Sequence, residues 1–177
     1  MPTHRYYFAY GSNLNLMQML TRCPSAMPLK PEKLLGWRLE FRGVATVHLA
    51  PCAAAPTPEE EDADLWQSEN LWAAEKYVQG AIYRITPEDE LALDRYEGYC
   101  AADPERGLYD KDTLEFLDDR GEIAEAMFYV MTRGPIHSPS PFYLRTIEQG
   151  YRDWGLNPKP LQEAVWRAEA ATLVLPL

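Results

Sequence analysis

The chain has 177 residues, enough for one domain that buries a core without disulfides or a structural metal. Its 17 Lys and Arg face 27 Asp and Glu, a formal net charge of -10, which leaves no basic footprint for nucleic acid or an anionic membrane. The three cysteines (Cys23, Cys52, Cys100) follow no metal spacing, and no apolar leader or bilayer-length apolar run is present, so a soluble cytoplasmic protein is expected.

Residues 5–10 read as a central strand, since Tyr6 to Tyr10 are apolar in both alternation phases. Asn13 is placed to cap a helix over "LNLMQMLTRC", with Leu16, Leu20 and Cys23 on one face and Pro24 at its end. "LLGWRLEFRG" alternates, sending Leu35, Trp37, Leu39 and Phe41 one way and Arg38, Glu40 and Arg42 the other. "VATVHL" reads as another strand. Residues 50–70 then lose all periodicity. This Ala-, Pro- and acid-rich stretch reads as an exposed excursion with Trp66 and Trp72 as its only anchors.

"YVQGAIYRI" restores a strand, and "TPEDELALDRYEG" is a punctuated helix. Thr86 stands at its cap, Pro87 at its first position, Asp89 at the third and Gly98 at its exit. "GLYDKDTLEFL" and "EIAEAMFYVM" form two strands joined by "DDRG". Ser140 and Pro141 open a helix with Leu144, Ile147, Tyr151 and Trp154 on one face, and a last helix starts near Pro158. The order β-α-β-β-β-α-β-β-α-α predicts a single α+β domain over residues 1–177, with short helices flanking a mixed, strongly curved or barrel-like β-sheet.

Two places carry candidate chemistry. A strand that turns through Gly11, Ser12 and Asn13 into a helix gathers unpaired donors at one spot, a nest for an anion or oxyanion. The bare pattern is more simply explained as a turn glycine and a capping asparagine. Glu97, at a helix exit among aromatic residues, is disfavoured as a carboxylate by the helix dipole and by shielding from water, and so suits proton transfer near neutral pH. The alternative is a solvated glutamate paired with Arg95 or Arg106. His4, His48 and His137 are scattered without ligand spacing, so no metal is expected.

Together, "YFAYGSN", "GVATV", "VQGAIYRIT", "LDRYEGY" and "SPSPFYL" resemble the gamma-glutamylcyclotransferase family, in order, from about residue 5 to Trp154. The resemblance implies that Tyr10, Gly11, Ser12 and Asn13 hold the glutamyl unit of a substrate and that Glu97 is the catalytic acid and base. It also implies that Tyr109 and Tyr143 line the pocket. Two departures from the compact form of the family are a longer segment between Glu97 and Tyr109 and the excursion at 50–70.

The implied reaction is cyclisation of a γ-glutamyl amide to 5-oxoproline by its own α-amino nitrogen, with no cofactor. The implied partner is a small γ-glutamyl compound, and the protein is expected as a monomer or homodimer. Three readings stay open: a γ-glutamyl amino acid as substrate, a γ-glutamylamine or glutathione-like substrate, and a non-catalytic binding domain that keeps the pocket.

Overall fold

The computed structural model describes residues 4–49, 77–100 and 107–174. The expected excursion at 50–70, with Trp66 and Trp72, lies outside the described residues. Seven strands and four α-helices are described. They are β1 (Arg5–Ala9), α1 (Leu16–Arg22), β2 (Met27–Leu35), β3 (Trp37–Phe41), β4 (Ala45–Leu49), β5 (Tyr77–Ile85), α2 (Pro87–Glu97), β6 (Tyr109–Leu117), β7 (Ile123–Met131), α3 (Pro141–Asp153) and α4 (Lys159–Val174).

Five strands form a mixed sheet in the order β2-β5-β1-β7-β6. β1 pairs antiparallel with β5 (Tyr7 opposite Tyr83) and parallel with β7 (Tyr7 opposite Met127). The apolar first strand is therefore flanked on both sides, and Phe8 and Ala9 are fully buried. The expected α+β class and mixed sheet hold. The barrel-like or strongly curved sheet does not: β2 and β6 are the two edges, and β3 and β4 make a separate two-stranded sheet.

The reason for this split is local. Gly36 takes a left-handed φ of 79° and breaks the run read as one strand over 35–42 into the end of β2 and the start of β3. Leu35 is consequently 69% exposed rather than in phase with Trp37, and Glu40 turns inward to 5% exposure. Its charge is met by Arg38 at 2.8 Å and Arg42 at 3.7 Å. β2 itself carries Pro28 and Pro31, which lack the N–H a central strand needs and are tolerated because β2 lies at an edge.

The punctuation read for α2 is present in full. Thr86 Oγ1 accepts from the Asp89 N–H at 3.1 Å, the Asp89 carboxylate accepts from the Thr86 N–H at 3.0 Å, and Gly98 ends the helix at φ 69°. At α3, Ser140 Oγ accepts from the Tyr143 N–H, and Ile147 and Tyr151 face inward. The hairpin β6–β7 turns where Asp118 Oδ1 accepts from the Arg120 and Glu122 N–H groups. α3 packs on the turn that follows β1, and α4 packs on β3.

Candidate active site

The turn after β1 is the best-supported piece of backbone around the site. Ser12–Leu14 is one 3-10 turn, and α1 starts only at Leu16. Asn15, rather than Asn13, caps that helix, its Oδ1 accepting from the Gln18 N–H at 2.9 Å. Asn13 is instead held inside the protein. Its Nδ2 donates to the Tyr7 hydroxyl at 2.9 Å, and its Oδ1 accepts from Arg22. Below the turn, the Tyr83 hydroxyl donates to the Asn13 carbonyl at 3.1 Å and Trp154 Nε1 donates to the Leu14 carbonyl at 2.9 Å. The carbonyl side of the turn is thus saturated by the core.

Gly11 has φ −108°, a value open to any residue, so its lack of a side chain matters for space rather than for conformation. A Cβ there would stand 3.2 Å from Ala45 Cβ and 3.3 Å from the Tyr143 hydroxyl. That hydroxyl accepts from the Ala45 N–H at 3.1 Å, which leaves its own proton free to donate.

Glu97 is the last residue of α2, and Gly98 turns the chain away immediately behind it. Burial pushes its carboxyl up to about 7, against the opposing influence of the Arg22 guanidinium. Among the described residues no ion pair holds Glu97, and Arg95 is exposed. Arg106, the other partner considered, lies outside the described residues.

Both pieces line one narrow cleft that is partly open to solvent. Tyr10, Gly11, Ser12, Asn13, Glu97, Tyr109 and Tyr143 all line it, so the structure brings together every residue that the sequence singled out. Tyr7, Tyr129 and Ala45 complete the wall. Burial raises the Tyr109 phenol above its ordinary range, with the nearby Glu97 charge adding to the effect, and pushes Tyr143 up to about 12. The cleft is therefore lined by neutral phenols around one carboxyl group that titrates near neutrality.

Sequence reasoning missed Tyr7 and Tyr129. The Tyr10 hydroxyl donates to the Tyr129 carbonyl, and the Tyr129 hydroxyl donates to Asp94, one turn before Glu97 on α2. A signal was available. The chain has 11 Tyr against 5 Phe, and a Tyr inside a buried strand implies that its hydroxyl has a partner.

Comparison with known proteins adds the family. The gamma-glutamyl cyclotransferase, AIG2-like family matches residues 7–154, which include the turn, Glu97 and the start of α3. The chain belongs to this family. A mouse gamma-glutamylcyclotransferase is 25% identical over 169 residues, a match that covers 89% of this chain and 74% of the mouse protein. Among solved structures, an uncharacterized human protein superposes with a TM-score of 0.63 at 22% identity, covering 99% of this chain and 90% of its own. A gamma-glutamyl cyclotransferase gives 0.62 at 22% identity, covering 95% and 88%. At these identities the structural likeness speaks for the fold alone. The family match spans the segments that line the cleft.

Proposed function

We propose that this family member is a cyclotransferase that releases 5-oxoproline from a γ-glutamyl amino acid or amine. One observation carries the reading: a carboxyl group with a near-neutral pKa, Glu97, opens on the same cleft as the Gly11–Asn13 turn. A group that titrates near the working pH both accepts and returns a proton efficiently.

In this mechanism the α-amino nitrogen of the substrate attacks its own γ-carbonyl, and a five-membered ring closes. Glu97 takes a proton from that nitrogen as the new N–C bond forms. It returns the proton to the departing nitrogen as the amide C–N bond breaks, giving 5-oxoproline and the free amine. The attack is intramolecular, so the cleft mainly has to hold the substrate bent. Ser12, the backbone of the turn and the Tyr143 hydroxyl are the donors nearest to hand for the oxyanion that develops on the carbonyl. Tyr10, Asn13 and Tyr109 shape the pocket around the glutamyl unit.

The decisive comparison is γ-glutamyl-alanine against its N-acetyl form, with alanine and 5-oxoproline both quantified. Stoichiometric 5-oxoproline from the free compound and nothing from the acetylated one are expected, since acetylation ties up the nucleophile. Alanine released from both at similar rates would mean hydrolysis by water and would overturn the reading. Replacing alanine by simple amines and by a cysteinyl-glycine unit then reports which leaving group the cleft accepts.

A further inference from the structure

Arg22 belongs to neither piece of the site as the sequence presents them, yet it touches the turn and the residue beside Glu97. It is the last residue of α1, and its Nη1 donates to Asn13 Oδ1 and reaches Ser12 Oγ at 3.4 Å. The same guanidinium lies over the ring of Tyr96, 3.3 Å from its centroid. Tyr96 is 58% exposed and immediately precedes Glu97. Among the described residues Arg22 makes no ion pair with a carboxylate.

We propose that Arg22 is a positioning residue that ties the Ser12–Asn13 turn to the Glu97 end of α2 and supplies the positive charge facing that carboxylate. The proposal deepens the reading of the site given above and rests on it. A guanidinium suits this task because its planar fork hydrogen-bonds in one direction while its face stacks on an aromatic ring. The turn and the end of α2 are distant in sequence and both line the cleft.

The surroundings of Glu97 leave Arg22 little competition. Tyr7 of β1, Tyr10 just after it, Tyr109 of β6, Tyr129 of β7 and Tyr143 of α3 all sense the Glu97 charge, and burial keeps each of them neutral. On α2 itself, Asp94 and Glu90 are bound to Lys111. Cys23, next to Arg22, is buried and its thiol is pushed up to about 11. Among the described residues, Arg22 is the charged group that favours the ionised form of Glu97.

The sign follows. Removing the cation makes Glu97 hold its proton to higher pH. The measurement is a ¹³C-carboxyl NMR titration of Glu97 in the free protein, its signal assigned by loss in Glu97→Gln, together with 5-oxoproline kinetics. In Arg22→Met, which keeps apolar contact with Tyr96, the midpoint should rise by about one pH unit and kcat fall about 10-fold or more. Arg22→Lys keeps the charge and loses the fork, so its midpoint should stay near wild type while kcat recovers only in part. Tyr96→Leu, at an exposed position, frees the guanidinium and should move the midpoint in the same direction by less.

A midpoint unmoved in Arg22→Met overturns the proposal, as does one unmoved in Tyr96→Leu should Arg22→Met fail to fold. An Arg22→Lys enzyme with the midpoint and kcat of Arg22→Met also overturns it. The titration needs no substrate. A shifted midpoint in a protein that makes no 5-oxoproline would therefore sink the cyclotransferase reading and leave the role of Arg22 standing.

Discussion

Gly150 of α3 lies so close to Leu14 that a Cβ on it would stand 2.4 Å from the Leu14 Cβ and 2.7 Å from the Asn15 nitrogen. The helix and the 3-10 turn are thus in backbone contact, and nothing flexible lies between them. Gly150→Ala gains about 1 kcal/mol in helix propensity, but overlap with backbone atoms forces α3 off the turn. We expect a net loss of about 2 kcal/mol and a fall in kcat/KM larger than the lost stability explains, because the turn moves with the helix. Urea denaturation and kinetics on the same preparation check this. A stabilised, fully active variant would show that α3 does not set the turn.

Lys111 of β6 ties that strand to α2. Its Nζ lies 2.7 Å from Asp94 Oδ1 and also bonds Glu90, which Arg5 approaches from outside. Burial works against the ionised form of Glu90, yet hydrogen bonds from Lys111 and Arg5 hold its carboxyl below the usual range. Lys111→Met takes the shared cation from two partly buried carboxylates, leaving Glu90 to Arg5 and Asp94 to the Tyr129 hydroxyl, and should cost about 2–4 kcal/mol at neutral pH. The cost should shrink in acid, as Glu90 takes up its proton. Urea midpoints at pH 4.5 and pH 7.5 test this. An equal loss at both would assign the effect to packing of the lysine stem instead.

At Gly11 φ is not left-handed, so an added methyl acts chiefly through the 3.2–3.3 Å contacts with Ala45 and Tyr143. Those neighbours need give only a few tenths of an ångström, and a stability loss of about 1 kcal/mol is expected for Gly11→Ala. Activity should suffer more. A displaced Tyr143 hydroxyl leaves the Ala45 N–H and the cleft together, and misplacement on the ångström scale costs about 10²-fold in rate. Unchanged kinetics with 5-oxoproline formation intact would remove Gly11 and Tyr143 from the site.

How much of this was legible depended on how local the determinant was. The ends of α2 could be read because Thr86, Pro87, Asp89 and Gly98 each act within one turn of their own position. β2 could not, because Pro28 and Pro31 imitate a loop, and only its place at the edge of the sheet makes them acceptable. The shape of the sheet was misjudged for a related reason. Whether β2 and β6 meet is decided by strands far away in sequence, and by the turn at Gly36. Asn13 and Asn15 compete for one capping role, and the intervening 3-10 turn decides between them. In the cleft, residues marked by turn glycines and a helix exit were found. Tyr7, Tyr129 and Arg22 were missed because nothing local separates a pocket tyrosine or a bridging arginine from an ordinary one.

Glu97 gives the sharpest separation of function from stability. Its carboxyl is raised from an unperturbed 4.5 to about 7 by burial, so the folded state holds a proton that the unfolded chain has already released. Folding stability must then fall as pH rises from about 4.5 through 7, the window between the two values. Glu97→Gln removes that penalty and keeps the shape of the side chain. The variant should lose roughly 10²- to 10⁴-fold in turnover, the usual share of a positioned proton carrier. At pH 8 it should be more stable than the wild-type protein by about 1–3 kcal/mol, with the advantage fading to nothing near pH 4. Urea unfolding across that range, beside 5-oxoproline assays at pH 8, measures both. A Glu97→Gln protein that is inactive yet no more stable at pH 8 would show that the carboxylate is well solvated in the folded state. Its near-neutral titration, on which the acid–base role depends, would then fall with it.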